Sequence, residues 1–527
     1  MKQLFVIAFV VFSLCGIGQN QCDFARIERG DNIEKEDKIS GFCATSDGNF
    51  VVFSNGKNSF GITLFNNKMK KIAETTIEGR SYHYSTFING KLLVFSTNKD
   101  KKSNPLYINI FNSSLEPSGD LITVPNISPF CFCPPLRLGE FPEYVDISTS
   151  PDKSKILIIT EKDMNKAGYS FLIFDKDLNR LFSGAVSVLS RKFCFILFKH
   201  CYIDNSGNIY QFYIRGGLDV EKVTDGTYGL YFSKTNPETG KTVEMKLKED
   251  RGLYGFLERA YPKGAPANGP QFDVVDFNAD FTNDGKMIVA GVLSNDGKNS
   301  HGFFYWKIDT KTNSTLIFNF EMFGVDLANE NKMSQKVKGE PQLSDVFDQC
   351  NVHPLVQLSD NRTLVIAEER RIFSPNDVGE YSQPKDVYTT RNIIIGLFDE
   401  QGKIIWSHVI PKLTKTTLDK NISGFCSFVN NESICFIFID NKSNYTGNEL
   451  LNVSLNKENM VPENNKLSIV KVGFDGSIKK YVLSDFTNCN VTGLLNGCTA
   501  ISSNELIVPF YSGMGKTAEL TKVTFAE

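Results

Sequence analysis

The chain has 527 residues, of which 41% are hydrophobic and 22% charged, a composition typical of globular proteins and not of disordered or fibrous ones. Its formal net charge of −3 lacks the basic excess of a nucleic-acid-binding protein. Five histidines are too few to favour a multi-histidine metal site, and no pair of Cys-x-x-Cys motifs supports a zinc site. The composition therefore predicts neither a metal nor a cofactor, and no nucleic-acid partner.

The first eighteen residues have the pattern of a cleaved secretory signal. Lys2 precedes an apolar run over 4–14, and small residues occupy the −3 and −1 positions of a cut between Gly18 and Gln19. The run is shorter than the ~20 residues that cross a bilayer as a helix, so we expect no membrane anchor. The large Leu14 before Cys15 argues against lipid attachment.

Export allows the cysteines to form disulfides. Of the twelve cysteines, eleven remain once the signal carrying Cys15 is removed, so at least one stays unpaired within the chain. Cys426 and Cys435 flank a predicted hairpin turn, and Cys194 and Cys201 flank a shorter segment. The sequence leaves the pairing open, since many of these side chains also suit small buried positions.

A first turn signature recurs eight times. It is a short polar turn followed by an apolar, β-prone run, as in Ser46–Asn49 before Phe50–Phe53. Gly, Asn and Asp in the turns supply the positive φ angles that tight hairpins need. The eight turns begin at residues 46, 89, 151, 205, 283, 359, 430 and 503.

A second signature alternates with the first. An apolar strand ends in Phe or Ile, and a polar turn and a further strand follow, as at Phe174-Asp-Lys-Asp177. The other copies are anchored at Phe65, Phe111, Phe232, Ile308, Phe398 and Phe474. A four-stranded unit repeated every ~65 residues is typical of a β-propeller.

The eighth unit contains three predicted strands, whereas residues 22–36 precede the first unit without belonging to it. Because an unpaired sheet edge is unfavourable, we expect the segment 24–27 to supply the missing strand. The sequence therefore predicts a signal peptide over 1–18 and one all-β domain over 19–527, with eight four-stranded blades. Seven blades are the second choice, and two stacked β-sandwiches are the alternative architecture.

The repeats lack the signatures of several known propeller families, including the WD dipeptide and the Gly-Gly pair of kelch repeats. The signal peptide and the segment Ile393–Trp406 resemble exported β-propellers of Bacteroidota. This resemblance implies an envelope location in a Gram-negative cell and transfers no catalytic residue. Since the last residues look like a propeller strand and not a sorting domain, the periplasm is the first expectation. The cell surface or the medium is the second.

Loop lengths predict which end of the propeller binds. The turns between the first two strands and between the last two strands of each unit lie at one face, and they are short. The long connections all belong to the opposite face, and long loops in a compact domain usually carry function. They are 125–144, 247–270, 320–346, 368–391 and 439–465. We expect the Asn-rich stretch Asn441–Asn465 to be mobile.

Aromatic and arginine side chains in these loops suit a protein interface. The predicted partner-binding residues are Phe130, Phe132, Tyr254, Phe256, Arg259, Arg370, Arg371 and Tyr388. Two other interpretations stand beside this one. The aromatic segments suit a cap folded over the blades, and the arginine-rich loop suits either an anion or sugar site or a solvated polar loop.

No catalytic residue is predicted. Glu368 and Glu369 are adjacent on a strand and therefore point to opposite faces, and Cys350 and His353 diverge for the same reason. The favoured function is a non-enzymatic protein-interaction module, an accessory subunit of an outer-membrane secretion or transport complex with an envelope or outer-membrane protein as partner. A glycan-binding or glycan-processing propeller is the alternative, and a structural surface protein is a third.

Overall fold

The computed structural model describes 25–34, 38–98, 104–127, 146–163, 168–187, 194–217, 229–246, 273–294, 300–324, 327, 347, 350–373, 387–416, 424–430, 432–445, 450–451, 453–454, 465–485, 492–493, 498–512 and 517–526. These residues form eight mainly antiparallel sheets, which are the eight blades of one β-propeller. The predicted fold class and blade number are confirmed. No helix in these ranges has the length and hydrophobicity needed to cross a membrane.

Strand β1 (Ala25–Glu34) belongs to the last blade, and the first four blades follow it in chain order. Blade 1 contains β2 (Lys38–Ala44), β3 (Phe50–Asn55), β4 (Ser59–Phe65) and β5 (Lys71–Glu78); blade 2 contains β6 (Arg80–Ile88), β7 (Lys91–Asn98), β8 (Asn104–Phe111) and β9 (Ile122–Ile127); blade 3 contains β10 (Asp146–Thr149), β11 (Lys155–Asp163), β12 (Gly168–Asp175) and β13 (Arg180–Ser187); blade 4 contains β14 (Cys194–Ile203), β15 (Ile209–Gly217), β16 (Gly229–Thr235) and β17 (Thr242–Lys246).

The remaining blades include interrupted strands. Blade 5 contains β18 (Asp273–Phe281), β19 (Met287–Ser294), β20 (Gly302–Asp309) and β21 (Ser314–Met322); blade 6 contains β22 (Cys350–Val352), β23 (Val356–Gln357), β24 (Thr363–Phe373), β25 (Val387–Phe398), β26 (Ile404–Ile410) and β27 (Thr414–Thr416); blade 7 contains β28 (Cys426–Val429), β29 (Ser433–Asn441), β31 (Asn465–Gly473) and β32 (Ile478–Asp485), with a 3-10 turn at Lys442–Tyr445 and the short β30 (Val453–Ser454) between β29 and β31; blade 8 contains β33 (Thr492–Gly493), β34 (Thr499–Ala500), β35 (Glu505–Ser512) and β36 (Thr517–Phe525).

Position within a blade decides the hydrophobic pattern of a strand. The second strand of a blade is covered on both sides by neighbouring blades, and β19 is accordingly buried at every residue from Met287 to Ser294. The fourth strand has one face in solvent, and β5 alternates between exposed and half-buried residues. The continuous apolar runs in the sequence therefore mark the inner strands.

The N-terminal strand closes the ring. β1 pairs antiparallel with β36, in a register that places Ala25 opposite Phe525 and Ile27 opposite Val523. Across this junction the Lys522 ammonium lies 3.1 Å from the carboxylates of both Glu28 and Glu505. The prediction that residues near 24–27 complete the eighth blade is confirmed.

Apolar clusters fill the spaces between neighbouring blades. Blades 8 and 1 share one such cluster, in which Ile507 and Leu520 of blade 8 pack with Phe50 and Val52 of blade 1. Within the described part of the chain, every pair of neighbouring blades is joined by a cluster of this kind. The core therefore runs around the whole ring.

Five of the described short turns share one hydrogen-bonding scheme, which a turn of blade 3 illustrates. The Asp175 carboxylate accepts the backbone N–H groups of Asp177 and Asn179 at 2.8 and 2.9 Å. The fourth residue, Leu178, takes a φ of 69° and donates its N–H to the Asp175 carbonyl. This is a type I turn followed by a left-handed residue, the usual way to close a hairpin of this length. Turns starting at Asn66, Asn112, Asp204 and Asp399 repeat it.

One loop prediction needs correction, and a second falls largely outside the described residues. The predicted connection 368–391 is shorter, because β24 continues to Phe373 and β25 begins at Val387. Its end residues are hydrogen-bonded sheet and not loop. The stretch Asn441–Asn465 is only partly described, and its described residues include a buried Leu450 and β30, which pairs in parallel with β27 of blade 6.

The described cysteines are thiols at Cys43, Cys201, Cys350, Cys426, Cys435 and Cys498. Cys194 and Cys201 lie on the same strand, β14, so about 20 Å of extended chain separates them. Cys426 pairs in register with Ile437, which places Cys435 diagonally across, roughly 7 Å away. Neither pair has the close approach that a disulfide needs.

Candidate functional site

The site lies where blades 6 and 7 present the connections between their second and third strands. We call this end of the propeller the loop-rich face, and the opposite end the short-turn face. Strand β24 brings Glu368 and Arg370 to the loop-rich face, and the chain between β26 and β27 brings Lys412. His353 follows directly after β22. Three separate segments of blade 6 therefore converge on one point.

Glu368 is the centre of this group. Its carboxylate is completely buried and accepts a hydrogen bond at each oxygen, from Lys412 Nζ to Oε1 at 2.8 Å and from Arg370 Nε to Oε2 at 3.0 Å. His353 Nε2 lies 3.9 Å from Oε2. A buried carboxylate needs such partners, because an unpaired charge in the interior costs several kcal/mol.

Lys412 is as deeply buried as Glu368. Its ammonium also donates to Thr390 Oγ1 at 2.6 Å, which ties the group to β25. The residues around it in sequence, Val409, Ile410 and Leu413, are buried apolar side chains. We call Glu368, Lys412, Arg370, His353 and Thr390 the blade 6 cluster.

The blade 6 cluster has more positive than negative charge. Burial by itself raises the pKa of Glu368, but Lys412, Arg370 and His353 together hold that pKa below its ordinary value. Burial lowers the pKa of Lys412, and the attraction of Glu368 offsets only part of this effect. Glu368 is therefore ionised near neutral pH and shielded from solvent, which suits a fixed counter-charge and not a general acid or base.

The neighbouring carboxylate, Glu369, has its own partner. Asn392 Nδ2 donates to Glu369 Oε2 at 2.7 Å, and a register irregularity between β24 and β25 falls at this position. Cys350 and His353 also separate, since Cys350 packs in the core between blades 5 and 6 whereas the His353 ring lies 4.5 Å from the Phe425 ring. The predicted divergence of both pairs is confirmed.

Blade 7 carries a second polar group beside the first. Asp440, at the end of β29, binds Lys480 Nζ at 2.5 Å and accepts a hydrogen bond from Asn444 in the adjacent 3-10 turn. Tyr445 of that turn donates to Ser468, and burial raises the pKa of its hydroxyl. Lys480 Nζ stands 4.7 Å from the centre of the Tyr445 ring. We call these five residues the blade 7 cluster.

The two clusters form one continuous site. Asp440 attracts the Lys412 ammonium electrostatically across the boundary between the blades, and the parallel pairing of β27 with β30 joins the blades at the same end. The side chains of Arg370 and Lys480 keep 26% and 30% exposure, whereas both central carboxylates are buried. Solvent therefore meets mainly the cationic groups, and the arrangement is suited to attract an anionic group.

The structure describes three of the eight predicted site residues. Arg370 does lie at the loop-rich face, but its guanidinium is bonded to Glu368 instead of projecting from a loop. Arg371 and Tyr388 occupy neighbouring register positions of β24 and β25 at the same end of blade 6. The other five predicted residues lie outside the described part of the chain, namely Phe130, Phe132, Tyr254, Phe256 and Arg259.

Sequence reasoning missed Lys412, Asp440 and Lys480 altogether. A usable signal exists for the first two, because each is a charged residue set within or directly after an apolar run: Ile410-Pro-Lys-Leu413 and Ile434–Ile439 followed by Asp440. A charge at such a position is buried and needs a partner. Among the residues that the structure describes, no group of three or more His, Cys, Asp or Glu side chains is placed to hold a metal ion.

Comparison with known proteins finds propeller structures but no sequence family. No family model matches the chain, and no curated protein sequence matches it. Similar solved structures include the Dos1 propeller (10% identity, TM-score 0.38, 95% of each chain covered) and the WD40 domain of SCAP from fission yeast (8%, 0.40, 95% of this chain and 98% of that one). The β-propeller domain of the Trilobed protease from Pyrococcus furiosus is a third (11%, 0.38, 86% and 98%). At these identities the likeness concerns the fold alone.

Proposed function

We propose that this propeller is a non-enzymatic protein-interaction module that binds an acidic segment of a partner protein at the loop-rich face of blades 6 and 7. The observation that carries the proposal is the buried Glu368. Its single negative charge holds two cationic side chains, Arg370 and Lys412, so that the group keeps an excess of positive charge. An acidic segment reaching this face would meet Arg370 and Lys480 at the surface.

The rigidity of the site supports a binding role. Arg370 lies on β24 within a paired sheet, and its Nε is tied to Glu368, so little side-chain entropy is lost when its guanidinium meets a carboxylate. Tyr445 and the predicted Tyr388 add the aromatic character common at the centres of interfaces. Replacing the buried pair with apolar residues would be the simpler route to stability alone.

The partner that we propose is an envelope or outer-membrane protein, with this chain as an accessory subunit of a secretion or transport complex in the periplasm. The support is the signal-like segment 1–18 and the resemblance to exported Bacteroidota propellers. The predicted loop residues extend the interface beyond blades 6 and 7. They are Phe130, Phe132, Tyr254, Phe256, Arg259, Arg371 and Tyr388.

Two charge reversals on opposite faces test the proposal. Lys442→Glu alters an exposed lysine of the 3-10 turn beside the site, and Lys68→Glu alters an exposed lysine in a turn of the short-turn face. A fluorescent oligo-glutamate peptide serves as the probe in anisotropy titrations at two salt concentrations. We expect Lys442→Glu to weaken binding several-fold, Lys68→Glu to leave it unchanged, and added salt to weaken it further.

Equal weakening by both reversals, or an unaffected titration with Lys442→Glu, contradicts the proposed site. Capture from an envelope extract with the same variants then connects the site to a protein, which should be retained by wild type and Lys68→Glu and lost with Lys442→Glu. A glycan array run in parallel addresses the alternative. An oligosaccharide that binds wild type but not Lys442→Glu, without any acidic peptide doing so, would replace the protein proposal by a glycan site.

A further inference from the structure

Two thiols meet at the junction between blades 7 and 8. Cys426 is the first residue of β28, the innermost strand of blade 7, and Cys498 directly precedes β34 in the same position of blade 8. The Cys426 thiol is a close neighbour of the Cys498 thiol and contributes to its raised pKa. Both belong to the apolar cluster that blades 6, 7 and 8 share.

We propose that Cys426 and Cys498 form a disulfide that ties blade 7 to blade 8 when the chain folds under oxidising conditions. The pair differs from Cys426 with Cys435, which lies diagonally across a single hairpin and is already held by the ladder between β28 and β29. A link between blades closes a loop of about 70 residues, and long closed loops restrict the unfolded chain most.

Blade 8 is the blade that benefits from such a link. Its first strand is broken into β33 and β34, with two residues each, so its ladder to β35 has four residue pairs in total. Its last strand is β1, from the other end of the chain. A covalent bond next to β34 holds the inner edge of the blade, where the hydrogen-bonded ladder has the fewest residue pairs.

The oxidation proceeds by two exchanges with a disulfide oxidant, either a disulfide-bearing oxidoreductase or oxidised glutathione. The thiolate of one cysteine attacks the oxidant, forming a mixed disulfide and releasing one thiol; the second thiolate then attacks the mixed disulfide and releases the other. The protein loses two protons and two electrons, and the disulfide of the oxidant is reduced to two thiols.

The burial of Cys498 determines when during folding the disulfide can form. In the folded blades, burial raises the pKa of Cys498 well above its ordinary value, with the neighbouring Cys426 adding to the rise. Little thiolate is present there, so exchange in the folded reduced protein is slow. The bond therefore forms most readily while blades 7 and 8 are still closing.

The test uses the full chain refolded with a mixture of reduced and oxidised glutathione. Free thiols are alkylated in denaturant without a reductant, and the digest is analysed by mass spectrometry. We expect a peptide pair linked through Cys426 and Cys498 that disappears when reductant is added before alkylation. Alkylation of both cysteines, or linkage of either one to a different cysteine, overturns the proposal.

Thermal unfolding gives an independent readout with a matched control. Cys426→Ala and Cys435→Ala each remove a buried thiol from blade 7, but only the first removes the proposed bond. Reductant should lower the Tm of wild type and of Cys435→Ala by a few degrees and leave that of Cys426→Ala unchanged. A Tm that is indifferent to reductant in wild type counts against the bond, and the mass analysis of wild type decides the matter even if a variant fails to fold.

Discussion

The two faces of the propeller differ in how far along the chain their polar groups find partners. On the short-turn face a carboxylate or amide serves N–H groups within four residues, and adjacent turns are joined by single hydrogen bonds such as Asn89 Nδ2 to Asp177 at 3.0 Å. On the loop-rich face Glu368 has one local partner, Arg370, but its other partner is Lys412, which is 44 residues away and completely buried. A polar group that is exposed to solvent can lose its partner at little cost, because water replaces it. A buried charged group cannot, so the loss of one partner destabilises the whole group.

Removing one member of the buried pair should give the largest effect. Lys412→Met leaves the Glu368 carboxylate with its deepest partner missing and should lower the free energy of unfolding by about 3–5 kcal/mol in urea titrations. The double variant Glu368→Leu with Lys412→Met removes both charges and should recover most of this loss. A single variant that costs less than about 1 kcal/mol would show that the pair is not the anchor of this face.

The same pair predicts a pH dependence. Because the pKa of Glu368 is lower in the folded protein than its ordinary value of 4.5, the unfolded chain takes up its proton first as the pH falls. The stabilisation is thus complete above about pH 4.5 and is lost as the pH drops towards the folded pKa. Urea midpoints measured through this range should fall more steeply for wild type than for Glu368→Gln; parallel curves would contradict the assignment.

Replacing glycines that have a positive φ in two turns of the short-turn face should give the next largest effect. Gly402 has a φ of +72°, and an added Cβ would lie 2.3 Å from Tyr305 Cδ1. Gly240 has a φ of +66° with nothing within 4 Å of an added Cβ. Gly240→Ala should cost about 1 kcal/mol from strain, and Gly402→Ala about 1–3 kcal/mol more from the collision. Equal costs in urea titrations would mean that the Tyr305 ring moves aside freely.

Turn capping should have a smaller effect. Asp175→Ala removes the acceptor for the Asp177 and Asn179 N–H groups and should cost about 1 kcal/mol. Asp175→Asn keeps an oxygen in the same place and should cost less. If both variants lose the same amount of stability in urea titrations, charge and not hydrogen bonding holds the turn.

The smallest expected effect is a gain. Lys153 is exposed and has a φ of 56°, so Lys153→Gly should relieve strain and, after the added freedom of the unfolded chain, stabilise by about 0.5 kcal/mol. Leu178 has a φ of 69° but is buried, so Leu178→Gly should destabilise the protein instead. Urea midpoints that shift in opposite directions would confirm that burial decides the sign.

The difference between local and distant partners explains which features the sequence predicts and which it does not. Turns such as Asp175–Asn179 keep donor, acceptor and positive-φ residue within five positions, so their spacing predicts hairpins, blades and the strand that closes the ring. The sequence predicts Arg370 in a loop, within the long connection 368–391. β24 nevertheless continues to Phe373 paired with β25, and within it Glu368 is neutralised by Lys412, which lies in a segment that no local pattern connects to it.

Closure by β1 has a consequence for the order of events during synthesis. β1 leaves the ribosome before every other strand of the propeller, and its partner β36 leaves last. At about 5–20 residues per second the 527-residue chain takes roughly half a minute or longer, and β1 waits throughout as an unpaired edge. Exposed Arg26, Glu28 and Arg29 lie along this strand, and charges on a waiting edge discourage pairing with a second nascent chain. The residues that finish the ring thus also keep it from closing on a neighbour.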